Sequence, residues 1–280
     1  MPPPILYLGP EGTHSHDAAR RRFGARARLL PCLSHYEIFA RLCAARGRIR
    51  PLAVVPVENS SEGPVTQTLD QLAHHPRVTI LDSFSLPVQQ HLLARPGTAR
   101  ARIRRVCSHP QALGQCRATL ARLLPKAELV AEASTSAAAR RAAQEDGTAA
   151  IASETAAKLH GLAILQADVQ DGGENVTRFF TLAADAAARP RRAKGAELRS
   201  LIHLVIGNRP GALLHVLAPF DASGVNLTFI QSRPLPGRPW EYGFFIEAVT
   251  DWKSAPARAA WKMVCALSES GRKIGTYPVG

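Results

Sequence analysis

Over roughly the first two-thirds of the chain, short apolar runs alternate with longer stretches of mixed polarity, as strands and helices do when taken in turn. ILYLG (5–9) reads as a strand, followed by a turn and a helix through Ala18–Phe23. PLAVVPVEN (51–59) repeats the scheme with a buried strand and a helix near Val65–Ala73. RIRRVCSHP (102–110) and a helix over Ala112–Leu124 make a third copy. Glu128–Ala131, a Ser/Thr cluster and an alanine-rich helix to Gln144 make a fourth, and Ala149–Ser153 begins a fifth. This alternation predicts an α/β domain over 1–185.

The texture then changes. Residues 186–198 are charged, hold Pro190 and Gly195 and lack alternation, so they read as a linker. Beyond it come a strand at 200–206, a helix over Gly211–Ser223, a strand at 225–233 and a turn at 234–239. A strand at 240–249, a helix over Ala255–Leu267 and a strand near Lys273–Val279 complete the order. This βαββαβ pattern over 199–280 predicts a ferredoxin-like domain, one face of an antiparallel sheet covered by two helices.

At 280 residues, two domains is the natural expectation, and 46% hydrophobic residues suffice for packed cores. The opening MPPPILYLGP has no basic stretch leading into an extended apolar run, and no apolar run reaches the roughly 18 residues that span a bilayer. A cytoplasmic protein with no membrane partner is expected. Five cysteines (Cys32, Cys43, Cys107, Cys116, Cys265) are scattered without a CxxC pair or a nearby His cluster, so reduced thiols and no metal are expected. An active-site thiol next to Ser108 is the sharper alternative. The net charge of +13 invites a nucleic-acid reading, but the arginines are dispersed through expected helices and Arg100–Arg105 has no aromatic for base stacking. A solvated basic surface, able to draw in a small dianion, fits better.

Several strands hand over to helices through hydroxyl, amide or carboxyl side chains: Thr13-His14-Ser15, Glu58-Asn59-Ser60-Ser61, Ser108-His109-Pro110-Gln111 and Ser134-Thr135-Ser136. Each alone reads as helix capping, at about 1 kcal/mol. Together, at the carboxyl ends of strands, they point to helix N-termini converging on a small carboxylate ligand. No Walker A or GxGxxG follows any strand, so nucleotide binding has no support. Arg178, inside the apolar strand 176–182, needs a partner. It is either an internal ion pair to Glu58 or Asp171, or a guanidinium fork for a substrate carboxylate.

GPEGTHSHDAA (9–19), VPVENSSEGPVTQTLDQL (55–72), SHPQALGQC (108–116), STSAAA (134–139), AAIAS (149–153) and NVTRFF (175–180) resemble, in order, the motifs of prephenate dehydratases. RPGALLHVL (209–217), GVNLTFIQSRP (224–234) and YGFFIE (242–247) resemble the ACT domain of the same family. The resemblance implies a two-lobed catalytic domain like a type II periplasmic-binding fold, with its active site between the lobes, followed by the ACT domain. It implies loss of water and carbon dioxide from prephenate without a cofactor, phenylalanine as allosteric ligand, and a homodimer or homotetramer. By motif match, Thr177, Glu58, Asn59, Ser108 and Gln115 are the expected catalytic residues. Thr13, Ser15, Ser60, Ser134, Thr135, Arg178 and Phe179 are the expected substrate contacts. In the ACT part the expected ligand residues are Asn208, Gly211, Ala212 and Leu213, with Asn226, Leu227, Thr228, Gln231, Ser232 and Arg233. Thr177 is expected to donate to the departing ring oxygen, with Glu58, if buried and protonated, as the rival acid.

Two positions depart from the pattern. His14 stands where the family usually has Phe or Tyr, either as a polar substitute on the wall or as a group titrating near neutrality. Gln231 replaces the usual glutamate of the ESRP motif, which puts phenylalanine feedback in question. The rivals are arogenate dehydratase, a non-aromatising prephenate decarboxylase, whose relatives lack the Thr177-Arg178-Phe179 element, and a non-catalytic amino-acid sensor. No chorismate mutase bundle is expected before Ile5.

Overall fold

The computed structural model describes residues 2–185 and 195–280, so residues 186–194 of the expected linker lie outside the described residues. The chain forms two compact units.

The first unit comprises Met1–Ile38, Asn59–Glu62 and Leu86–Thr177. Its strand Ile5–Leu8 pairs in parallel with Leu29–Cys32, and helix His14–Phe23 makes the crossover. That helix starts four residues before the sequence suggests. Thr13 Oγ1 accepts from His16 N at 3.4 Å, and Asp17 sits in the first turn, so the polar segment His14–Asp17 is a capped helix start.

A five-stranded mixed sheet follows, in the order Ala163–Gln166, His91–Ala94, Thr148–Ala152, Arg105–Ser108, Glu128–Ala131. Both faces of its middle strands are covered, which is why they read as unbroken apolar runs. Leu92, Val106 and Ile151 face Leu113 and Leu120 on one side. Leu93, Cys107 and Ala150 meet Ala138, Ala142 and Ala156 on the other, where methyl-sized side chains let helix Thr135–Gln144 approach closely. The single helix expected over Ala112–Leu124 is two, Pro110–Gln115 and Arg117–Leu123. The break is stabilised by Asp171, whose carboxylate accepts from Ala118 N at 2.5 Å and Thr119 N at 2.8 Å.

The second unit comprises Phe39–Glu58, Gly63–Ser85 and Arg178–Gly280. Here strand Val176–Ala184 runs between Leu52–Asn59 and Val78–Pro87. The C-terminal part is the expected βαββαβ arrangement, an antiparallel sheet ordered Leu227–Leu235, Arg238–Val249, Leu198–Ile206, Ser270–Pro278. Helices Ala212–Ala222 and Ala255–Leu267 cover it, closing a core of Ile202, Leu204, Val216, Phe220, Ile246 and Val264. The loop expected over 234–239 shrinks to Pro236-Gly237, because both strands run on to the hairpin and Gly237 takes a φ of +73°. The last strand bulges against Leu201 and Ile202, and Thr79 Oγ1 donates to the Ile274 carbonyl there at 3.0 Å. Among the described residues no helix is long and apolar enough to cross a membrane.

Candidate functional site

In the first unit, Asn59 organises a chain of amides around Thr177. Its Oδ1 accepts from two backbone groups, Ser61 N at 3.0 Å and Glu62 N at 3.1 Å. Backbone N–H groups only donate, so this fixes which end of the amide carries nitrogen. Nδ2 then donates to Thr177 Oγ1 at 2.9 Å and to Asn175 Oδ1 at 2.6 Å. Asn175 Nδ2 donates onward to Gln115 Oε1 at 3.0 Å, and Gln115 Nε2 to Glu62 Oε1 at 3.3 Å. The Asn59 turn is itself clamped, since Ser60 N donates to the Val176 carbonyl at 2.9 Å and Ser60 Oγ accepts from Val176 N at 3.0 Å. Thr177 therefore receives a hydrogen bond on its oxygen, and its own proton meets no acceptor among the described residues. A hydroxyl held this way is a donor waiting for a partner. Of the expected catalytic residues, Thr177, Asn59 and Gln115 are brought together. Asn175 and Glu62, which the sequence reading did not single out, complete the chain; Asn175 opens the quoted NVTRFF motif.

Side chains alternate along a strand, so Arg178 and Phe180 face away from Thr177 and Phe179. In the second unit, Arg178 is occupied. Its Nη2 lies 3.0 Å from Glu58 Oε2, and Nη1 donates to both oxygens of Glu247, at 2.9 and 2.7 Å. The internal ion pair to Glu58 is the arrangement found, with Glu247 as an additional partner, and Asp171 serves instead as the helix cap described above. The guanidinium fork for a substrate carboxylate has no support here, because both Nη atoms are taken by Glu58 and Glu247 and the side chain is turned from Thr177. Glu58 is 37% exposed and paired with a cation, so the buried setting that a neutral acid needs is absent. Phe179 is 1% exposed and stacks on Phe84 at 5.7 Å, a core residue and not a substrate contact.

The helix starts act chiefly as caps. Thr13 Oγ1 lies 3.1 Å from the Leu8 carbonyl and 2.9 Å from that of Pro10 while capping His16, and Ser134 Oγ accepts from Ala137 N at 3.0 Å. Ser15 and Thr135 are buried, and the Ser108 hydroxyl is spent on the Ile151 carbonyl at 2.6 Å. Each cap satisfies one N–H of the four that a helix start leaves open. The thiol alternative also fails: burial pushes Cys107 up and Cys116 to about 12, keeping both as unreactive thiols. His14 Nε2 is 3.3 Å from Gln90 Nε2, and burial pushes its pKa down, away from a switch near neutrality. It lines a cavity of about 600 Å3 with His16, His91, Arg20, Lys158 and Glu154, apart from the Thr177 cluster. Among the described residues no group of three His, Cys, Asp or Glu side chains could hold a metal ion.

The expected regulatory residues lie before and at the start of helix Ala212–Ala222 and in or just before the edge strand Leu227–Leu235. Gly211, at φ +77°, precedes helix Ala212–Ala222, with Ala212 and Leu213 packed on the core. Asn208 Nδ2 is 3.5 Å from the Trp240 carbonyl, and the Asn226 carbonyl accepts from Val249 N at 2.8 Å. Leu227 is partly buried against the core, and Thr228 Oγ1 donates to Glu247 at 2.6 Å. Gln231 Nε2 folds back on the Ser232 carbonyl at 2.8 Å. Arg233 makes a bidentate pair with Asp70, both contacts 2.7 Å.

The sequence model of the family described as prephenate dehydratase matches residues 5–187. A prephenate dehydratase of Mycobacteroides abscessus is 36% identical over 282 residues, covering 99% of this chain and 90% of the relative. A solved structure described as prephenate dehydratase in complex with L-Phe from Arthrobacter aurescens has a TM-score of 0.87 and 32% identity, covering 98% of this chain and 89% of that one. Another, described as GqqA, a novel type of quorum quenching acylase, also has a TM-score of 0.87, at 28% identity, covering 99% and 98%.

Proposed function

As a member of the prephenate dehydratase family this chain is an enzyme, and we propose that it converts prephenate to phenylpyruvate with Thr177 donating to the departing ring hydroxyl. The observation that carries this reading is the orientation of Asn59. Its amide nitrogen feeds the Thr177 oxygen and leaves the Thr177 proton free.

The chemistry asks for little more. The ring carboxylate leaves as carbon dioxide, its bonding electrons form the aromatic ring, and the C–O bond opposite breaks. Hydroxide is a poor leaving group, so the oxygen must gain hydrogen bonding as it departs and end as water, consuming one proton overall. A threonine hydroxyl is too weak an acid to give up its proton outright near neutrality. Thr177 therefore stabilises the developing charge, and the net proton arrives from solvent. A fixed donor of this kind is worth about 10²–10³ in rate. The N–H bond from Asn59 polarises the hydroxyl and strengthens it as a donor. In this reading Gln115, Asn175 and Glu62 hold the Asn59 amide, and Ser60 holds its turn.

The domain limits that go with this function are a two-lobed catalytic domain over 1–185, a linker over 186–198 and an ACT domain over 199–280. Phenylalanine is the proposed ligand of the ACT sheet; the Arthrobacter structure is described as a complex with L-Phe. Gln231 offers no carboxylate to a ligand ammonium, which weakens that binding. A cytoplasmic homodimer or homotetramer completes the proposal.

An acylase would need an activated nucleophile. Ser136 Oγ lies 3.4 Å from His160 Nε2, but its proton goes to the Glu11 carbonyl, so that reading has little to stand on. The deciding assay supplies the pure protein with prephenate and with arogenate separately. Rapid formation of phenylpyruvate, followed by its enolate absorbance, is expected with prephenate. Turnover of arogenate alone, or of neither, contradicts the proposal.

A further inference from the structure

Glu247 sits in strand Arg238–Val249 of the C-terminal sheet and is fully buried. Four side chains from four other strand positions converge on it. Besides the two bonds from Arg178, it accepts from Arg199 Nη1 at 3.0 Å, Thr228 Oγ1 at 2.6 Å and Tyr277 OH at 2.6 Å. Burial pushes the carboxyl up, but Arg178, Thr228 and Tyr277 together outweigh it and hold Glu247 below the ordinary carboxylate range. Burial, with Glu247 adding, keeps the Tyr277 phenol far above its usual range, so it remains a donor. A buried ion cluster of this kind is a poor way to gain stability, since apolar side chains of similar volume often do as well. What it supplies is a fixed arrangement.

The arrangement is tied to the donor pair by covalent neighbours. Arg178 follows Thr177 in one strand, and Glu58 precedes Asn59 in the next strand of the sheet. One face of each strand carries a member of the Asn59–Thr177 hydrogen bond; the following or preceding residue, on the other face, carries a member of the Glu58–Arg178–Glu247 pair. The Arg178 guanidinium is also packed over Phe180 and Phe229, at 5.7 and 5.8 Å. Sliding either strand to relieve one contact breaks the other.

We propose that Glu247 is a positioning residue for the dehydratase reaction, holding the Thr177 hydroxyl at its working place through Arg178 and Glu58. The C-terminal sheet thereby contributes to turnover and not only to regulation. This rests on the Thr177 reading given above.

The test is a double-variant cycle on the full-length enzyme, with kcat and KM for prephenate and a melting curve for each variant. Glu247→Gln keeps the shape but removes the charge that orients Arg178. Its kcat is expected to fall by about 10- to 100-fold with KM nearly unchanged, because a small misplacement of a reacting group costs rate before it costs binding. In the Thr177→Ala background the same substitution is expected to cost almost nothing further, because the group it positions is gone. A loss of the same factor in both backgrounds overturns the proposal, as does a lowered melting temperature with unchanged kcat. If Glu247→Gln does not fold, Arg178→Lys, which keeps the charge and loses the fork, runs the same cycle with the same expectations. Near-normal turnover by Thr177→Ala alone refutes the Thr177 reading itself, separately from the role of Glu247.

Discussion

A hydroxyl becomes a useful donor when its own oxygen is already engaged, and Asn59 does this for Thr177. Its amide cannot turn over, because two backbone N–H groups hold its oxygen. Asn59→Asp removes the nitrogen and offers Thr177 an acceptor instead, so the hydroxyl proton turns inward. We expect kcat to fall by about 10²–10³ while Thr177 itself is untouched. Steady-state kinetics check this, and a variant with more than a tenth of normal kcat contradicts it. Thr177 and Asn59 are legible as a candidate pair because their motifs are contiguous and ordered, and the fold brings the two into hydrogen-bond contact. Ser108, Thr13 and Ser134 were equally visible, but a capping or buried hydroxyl and a substrate contact look the same in sequence. Arg178 was read as needing a partner, which it does; that Glu247, 69 positions away, fills the need is set by tertiary packing that no local pattern carries. Phe179 shares the Thr177 face but is packed against Phe84, and a motif gives order along the chain, not depth of burial.

Strands and helices with strong periodicity are legible in the sequence, and each difference has an identifiable cause. The helix at His14 was missed over its first turn because His14–Asp17 carries no apolar period; only the Thr13 cap starts it there. The break at Cys116 is marked locally only by Gly114; Asp171, from a distant loop, caps the second helix. Strand Val78–Pro87 escapes the pattern because Asp82, Ser83 and Ser85 interrupt its apolar run, and His91–Ala94 because it is only four residues long. The C-terminal βαββαβ order was read almost whole, because its elements alternate cleanly. Gly275 shows what an element demands of one residue. A Cβ there would stand 3.1 Å from both Ile80 N and Ile80 O, backbone atoms that cannot move aside cheaply. Gly275→Val is expected to destabilise by about 1–3 kcal/mol, as overpacking does. Denaturant titration measures this, and an unchanged midpoint contradicts the close approach.

At the scale of the whole molecule, acid stability follows from histidines held wholly or partly out of water. Burial, with Arg272 and His74 adding, pushes His203 down to about 4, and burial also lowers His14, His16, His35 and His160. The unfolded chain binds these protons near pH 6.5, so their contribution is complete above about 6.5 and declines below it, that of His203 being lost toward about pH 4. Asp185, held at about 2 chiefly by Arg77, loses its contribution only below about pH 4, where the unfolded carboxyl takes up a proton. The melting temperature is expected to decline steadily from pH 7 to 4.5, and His203→Gln to flatten part of that slope; a flat profile for the native protein contradicts the assignment. The proposed catalysis depends on a narrower feature, a strand-borne hydroxyl at Thr177 whose proton meets no acceptor among the described residues. The most direct measurement is single-turnover conversion of prephenate by Thr177→Ala and Thr177→Ser. The account predicts that alanine slows the chemical step by about 10²–10³ at nearly unchanged substrate affinity, while serine, which keeps the donor, stays within about tenfold of the native enzyme. An alanine variant that turns prephenate over at close to the native rate would contradict it.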